Sequence, residues 1–377
     1  MHRRAVLLSF FAAAAAPLPP QAPVFESSAG RLKLVTVVAG LDHPWSFAFL
    51  PEGGMLVTER PGRLRAVAPD GRLLAPVSGL PKVSATGQGG LLDVALHPDF
   101  ATTRLVFLSF AEPREDGKNA TSVMRGRLSE DLARLSDVTV IFRQQPAYKG
   151  GAHFGSRLAF DRTGALFVTT GDRLNLRPLV QQTDNHIGKV IRITEDGGIP
   201  PDNPKLEGWL PEIWSIGHRN LQGATIHPDT GQLWTVEHGA KGGDELNHPE
   251  AGKNYGWPVI TYSREYSGEP VGEGLTEKAG MEQPVHYWTP SIAPSGMVFL
   301  TGGRYPQWSG NLFVGALALQ HVARLVLKDG KVIEEEKLFD GFTRFRDVRQ
   351  GPDGSLYLLT DQRAPMGRVL KVVKAAS

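Results

Sequence analysis

The sequence predicts an all-β protein, a six-bladed β-propeller of four-stranded antiparallel blades. Three observations carry that expectation. Glycine (43 residues) and proline (28) are abundant without any low-complexity tract, a composition of short strands and tight turns rather than long helices. One hairpin pattern occurs six times: an apolar strand, a turn rich in Pro, Asp or Gly, and a second apolar strand. The copies recur roughly every 45 to 75 residues, about the length of a four-stranded blade with its loop.

The first element, residues 1–23, has a basic start (His2, Arg3, Arg4), an apolar run from Ala5 to Ala16, then small residues and prolines. This is the layout of a cleaved export leader, and it is too short to span a bilayer comfortably. No later segment is apolar enough for a membrane helix. The expectation is an exported protein, periplasmic or secreted, whose mature residues 24–377 form a single propeller domain. The six hairpins follow in order: Trp45 to Arg60, Leu91 to Phe110, Ser156 to Asp172, Gln222 to Gly239, Ser295 to Leu317 and Arg346 to Asp361. Turns such as Pro51-Glu52-Gly53-Gly54 and Pro352-Asp353-Gly354 separate their strands. A lone hairpin cannot bury both faces, whereas a ring of them does, leaving only short edges. A multi-sheet β-sandwich is the alternative, and the regular repetition disfavours it. The segment Glu334 to Phe339, "EEEKLF", reads as a solvated edge.

Composition narrows the function. With 41 basic against 39 acidic residues the net charge is +2, which gives no reason to expect nucleic acid, and no polybasic run suggests a membrane surface. There is no cysteine, so neither disulfides nor thiolate chemistry is available, and size must supply stability.

In a propeller, corresponding strand ends converge on one mouth of the central channel. Polar residues far apart in sequence then share a pocket. His153 and Asp172 bracket the third hairpin. Gln88, Arg219, Asn220, Arg344 and Arg346 precede the second, fourth and sixth first strands or open them. One base, one carboxylate, two amides and three arginines suit a polyanionic ligand and proton transfer better than a structural core.

The stretches "LDHPWSFAFLPEGGMLVTERPGRLR", "GQGGLLDVALHPDF", "HFGSRLAF", "GHRNLQG", "GGDELN", "GKNYGWP" and "PSIAPSGM" together resemble the soluble aldose sugar dehydrogenases that use pyrroloquinoline quinone (PQQ), the glucose/sorbosone dehydrogenase family. The matches are collinear from about Leu41 to Asp361. The resemblance implies a six-bladed propeller, as the hairpin repeat does independently. It also implies oxidation of an aldose at the anomeric carbon to a lactone, with hydride passing to PQQ and then to an external acceptor, in a monomer or homodimer. His153 would be the general base and Asp172 the carboxylate that orients it. Gln88, Arg219 and Asn220 match family contacts to cofactor and substrate. Arg344 and Arg346 match an arginine pair whose alternation puts both on one strand face, facing the three carboxylates of PQQ.

Calcium is implied by the resemblance alone: the backbone carbonyls of Gly239 and Ala240 for the catalytic ion, Glu245 and the backbone of Tyr255 for a structural one. Read without it, Asp244-Glu245 is a solvated acidic loop, and no EF-hand loop is present. Two positions depart from the family. Ala318 stands where many members have a cofactor-contacting lysine, and Thr289 where the best-known glucose enzyme has an aromatic covering the sugar. Two other functions compete: a calcium-dependent lactone or ester hydrolase, and a non-catalytic sugar-binding propeller. A neutral lactone has no use for three cations, and a mere binder leaves "HFGSR" and "GHRN" unexplained.

Overall fold

The computed structural model describes residues 23–375. The expected leader lies outside the described residues except for Pro23. Six sheets form six blades, and every expected hairpin is the first strand pair of one blade. The first strands are Pro44–Phe49, Leu91–Leu96, Gly155–Phe160, Leu221–Ile226, Pro294–Phe299 and Phe345–Gln350. Each packs against the next and the sixth returns to the first, so they form the inner ring around the axis. Five blades build outward from consecutive strands. The sixth borrows its fourth strand from the other end of the chain: Leu32–Leu41 pairs antiparallel with Gly367–Lys374, from Leu32 opposite Lys374 to Leu41 opposite Gly367. This joins the two termini and closes the ring. The described residues contain one four-residue α-helix, Phe100–Thr103, and no helix long and apolar enough to cross a membrane.

Burial follows position in the blade. Second strands such as Met55–Glu59, Leu166–Thr170, Leu233–Glu237 and Leu356–Thr360 are buried at every residue, because neighbouring blades cover both their faces. Every first strand also carries a register irregularity against its second strand near its start. These bulges bend the strand where it reaches the channel mouth and re-aim the side chains there.

One level into the channel, the third residues of the first strands meet across the axis. Ser46 Oγ donates to Asp93 at 2.5 Å. The fully buried Arg157 guanidinium lies 3.4 Å from Asp93 and 3.2 Å from Asp347. Arg349 adds contacts of 3.0 Å to Asp347 and 3.3 Å to Asp93, so two cations answer two carboxylates. Gly296 occupies the matching position in blade five, where a Cβ would lie 1.7 Å from Asp347 Oδ1. Gly296→Ala is therefore expected to push Asp347 off Arg157, leave a buried cation short of a partner, and cost about 3–5 kcal/mol in urea unfolding. An unchanged midpoint would show that the axial network does not hold the ring.

Candidate active site

Above the axial network lies a cavity of about 200 Å³. Its floor comes from the second residues of first strands, Trp45, Leu92, Gln222 and Arg346, and its wall includes residues just past second strands, Arg60, His238, Leu317 and Asp361. Of the residues expected from sequence, Gln88, Asn220, Arg344 and Arg346 line it. His153 and Arg219 are hydrogen-bonded to the lining residues Gln88 and His238, and Asp172 is bonded in turn to both of them.

His153 precedes its strand in a left-handed backbone conformation, φ 49°, with its amide donating to Gln88 Oε1 at 2.8 Å. Its Nδ1–H donates to Asp172 Oδ1 at 2.6 Å. Burial pushes the imidazole below its ordinary value. The Asp172 hydrogen bond pulls it partly back, and the charges of Arg219 and Arg173 push it down again. The ring is therefore neutral at pH 7, with the proton on Nδ1 and the Nε2 lone pair taking no hydrogen bond from any described residue. Burial alone would raise the Asp172 carboxyl, but His153, Arg219 and the Leu174 amide hold it below the usual carboxylate range. Its Oδ1 also accepts from the Leu174 amide at 2.8 Å, and Oδ2 accepts from Trp257 Nε1 at 2.9 Å.

Across the cavity, Arg344 and Arg346 converge on one oxygen, Asp361 Oδ2, at 3.0 and 3.3 Å. Arg346 Nη1 donates to Gln222 Oε1 at 3.0 Å, while its buried Nε has no partner. Burial pushes Asp361 up, but Arg346 and Arg344 outweigh it and hold its pKa at about 2. Counting Arg60, three guanidiniums face one carboxylate in the lining, so the cup carries excess positive charge. His238 adds an uncharged wall: its Nε2 lies 2.7 Å from the Pro294 carbonyl, and burial, with Arg219 and Arg346 nearby, brings its pKa down to about 3.

Arg219 links the base pair to the expected calcium carbonyls. Its carbonyl accepts from the Asp172 amide at 2.8 Å, and its Nη1 donates to His238 O at 3.0 Å and Gly239 O at 2.5 Å. Its Nε is buried without a partner. Asn220 Oδ1 accepts from the Gly155 amide at 3.2 Å and from Gln222 Nε2 at 3.3 Å. Ala240 gives its amide to Ser263 Oγ at 2.6 Å, and its carbonyl takes no hydrogen bond from a described residue. A cation on the Gly239 carbonyl would thus have to displace a guanidinium.

The Glu245 region is different. Strand register sets Glu245 opposite Glu237, like charges face to face. Burial first, then the Glu237 charge, pushes the Glu245 carboxyl up to about 8. Asn247 Nδ2 bridges the two carboxylates at 3.0 and 3.1 Å, but its buried Oδ1 has no partner. Tyr255 stacks at 4.9 Å on His218, which bonds Glu237 at 2.9 Å. Two facing carboxyl groups and an orphaned amide oxygen are oxygen donors of the kind a hard cation takes. No group of three or more His, Cys, Asp or Glu side chains among the described residues is placed to hold a metal, so carbonyl and amide oxygens would carry much of the coordination.

Sequence reasoning missed Arg60, His238, Asp361 and Trp257. The first three follow directly after second strands, as Asp172 nearly does. Reading both ends of each hairpin, rather than mostly the opening ends, finds them. Trp257 carries no spacing signal. At the two departures, Ala318 is exposed beside the cavity residue Leu317, and the Thr289 hydroxyl accepts from the Gly243 amide at 3.2 Å.

Comparisons with known proteins agree with this architecture. The model of the family described as Glucose / Sorbosone dehydrogenase matches residues 41–371. The chain is 49% identical over 337 residues to aldose sugar dehydrogenase YliI of Escherichia coli (strain K12), spanning 88% of this chain and 90% of the relative. It superposes on the apo-form soluble aldose sugar dehydrogenase from Escherichia coli with a TM-score of 0.87 at 46% identity, over 91% of this chain and 100% of that one. For the PQQ-bound form of an aldose sugar dehydrogenase from Streptomyces coelicolor the TM-score is 0.76 at 30% identity, over 90% and 97%.

Proposed function

Because the chain belongs to the glucose/sorbosone dehydrogenase family, a family of oxidoreductases, we propose that it oxidises aldose sugars at the anomeric carbon to lactones with PQQ as cofactor and calcium as its metal. One observation carries the reading: a neutral imidazole with a free Nε2 stands behind a cup whose lining has three guanidiniums for one carboxylate. PQQ, when bound, supplies the electron sink that accepts hydride from the sugar and passes the electrons to an external acceptor.

The chain's own residues do the rest. His153 Nε2 takes the proton of the anomeric hydroxyl as hydride leaves the same carbon, so the sugar loses one proton and one hydride and becomes the lactone. Asp172 holds the proton-bearing Nδ1 and stabilises the imidazolium that forms. Arg344 and Arg346, with Arg60, hold the carboxylates of the cofactor. The unpartnered Nε of Arg346, which lines the cavity, is a donor ready for it. Gln88 fixes the His153 backbone, and Asn220 with Gln222 ties the neighbouring blade to the same wall.

Glu245, with Glu237 and Asn247 beside it, would hold a structural calcium together with the backbone of Tyr255. Gly239 and Ala240 fit the catalytic ion only once Arg219 releases the Gly239 carbonyl, and no proton-transfer step depends on it. The leader would be removed on export, leaving one propeller domain from Val24 in the periplasm or medium.

The test is reconstitution. Purified mature protein without cofactor should reduce an artificial dye with aldoses only after PQQ and calcium are added, and chelation should lower its melting temperature through the Glu245 group. Failure to bind PQQ, or hydrolysis of lactones without it, would sink the reading.

A further inference from the structure

We infer that Trp257 is a positioning residue for the base pair, acting on His153 through the free oxygen of Asp172. It rests on the assignment of His153 as the base. The Asp172 carboxylate has two oxygens and three donors: His153 Nδ1 and the Leu174 amide on Oδ1, and Trp257 Nε1 on Oδ2. Oδ1 alone does not fix the carboxylate plane, because rotation about the Cβ–Cγ bond exchanges the two oxygens. The indole N–H pins that rotation, and with it the direction in which His153 presents Nε2.

The placement is built rather than incidental. Trp257 is 4% exposed and packs with Val180, Ile187 and Val271. Its amide donates to the Gly217 carbonyl at 2.9 Å. Gly217 has φ 84°, and a Cβ there would lie 2.4 Å from the Gly256 nitrogen, so only glycine lets the segment carrying Trp257 come this close to the turn leading into Arg219. Two guanidiniums sit over the indole, Arg177 at 4.9 Å and Arg219 at 5.2 Å. A buried indole that only packed would need a partner for its N–H. Here that partner is the one carboxylate bonded to the base.

The charged and titratable groups facing His153 are Asp172, Arg219, Arg173 and His238. Trp257→Phe keeps an aromatic ring for both arginines while removing the N–H, at the cost of some buried ring volume. Asp172 then keeps more negative charge for His153, so the imidazole holds its proton to higher pH. In the cofactor-free protein, the His153 ring followed by NMR should titrate at higher pH than in the unsubstituted chain. In the holoenzyme kcat should fall about tenfold, with KM and PQQ affinity within twofold and the acid limb of kcat/KM displaced upward. In an Asp172→Ala background the same substitution should change nothing further, since the carboxylate through which it acts is gone. Additive losses, or an unmoved His153 titration in a folded variant, would overturn the inference. A shifted titration in a protein that turns over no aldose would uphold the positioning role and defeat the dehydrogenase reading instead.

Discussion

His153→Ala is expected to lower kcat by about 10³-fold, within the range that a positioned general base supplies, while PQQ binding stays within a few-fold of the unsubstituted protein. The separation follows from geometry. His153 does not line the cavity, so removing its ring leaves the arginine cup intact, but it takes away the buried imidazole that is bonded to Asp172 and whose Nε2 takes no hydrogen bond from a described residue. The pH profile gives an independent check. The base works only when neutral, so rate is lost as pH falls through its pKa. Burial with Arg219 outweighs Asp172 and sets that pKa below the ordinary imidazole value, about 6.5, so the acid limb of kcat/KM should lie below it as well. Stopped-flow reduction of the bound cofactor measures both. A variant that reduces PQQ at the parental rate would remove His153 from the chemistry.

Much of the fold was legible because its signal is local. Each first hairpin pair alternates or runs apolar around a turn whose residues favour it, and the six copies became the six inner strand pairs. The ring's closure was not legible. Leu32–Leu41 pairs with Gly367–Lys374 across nearly the whole chain, and nothing in either segment names the other. The axial network escaped for a similar reason: Asp93, Arg157 and Asp347 look like ordinary strand charges until bulged first strands bring their third residues together.

The site divides along the same line. His153 and Asp172 attracted notice as ends of one hairpin, and the structure places their side chains in contact. Arg344 and Arg346 were expected as neighbours, yet the carboxylate they share, Asp361, was counted only as the last residue of the sixth hairpin. Glu245 was singled out by resemblance alone. What makes it chemically unusual is Glu237, eight residues earlier, and that pairing exists only through strand register.

Arg346→Leu should weaken PQQ binding by about 100-fold, the loss expected when one side of a buried, hydrogen-bonded charge pair is truncated. Arg344→Leu should cost only a few-fold. Both guanidiniums reach the same Asp361 oxygen, so that contact does not distinguish them. Burial does: the Arg344 side chain is 46% exposed and that of Arg346 is 9% exposed, lying on the cavity floor with a free Nε. Water and salt screen the first and leave the second at nearly full strength. Raising ionic strength should therefore erode the Arg344 contribution and spare that of Arg346. Calorimetric titration of the cofactor-free proteins at two salt concentrations measures all four affinities. Equal losses for the two variants would mean that the arginines serve mainly to neutralise Asp361, and that the cup binds its anion through Arg60 and Arg219 instead.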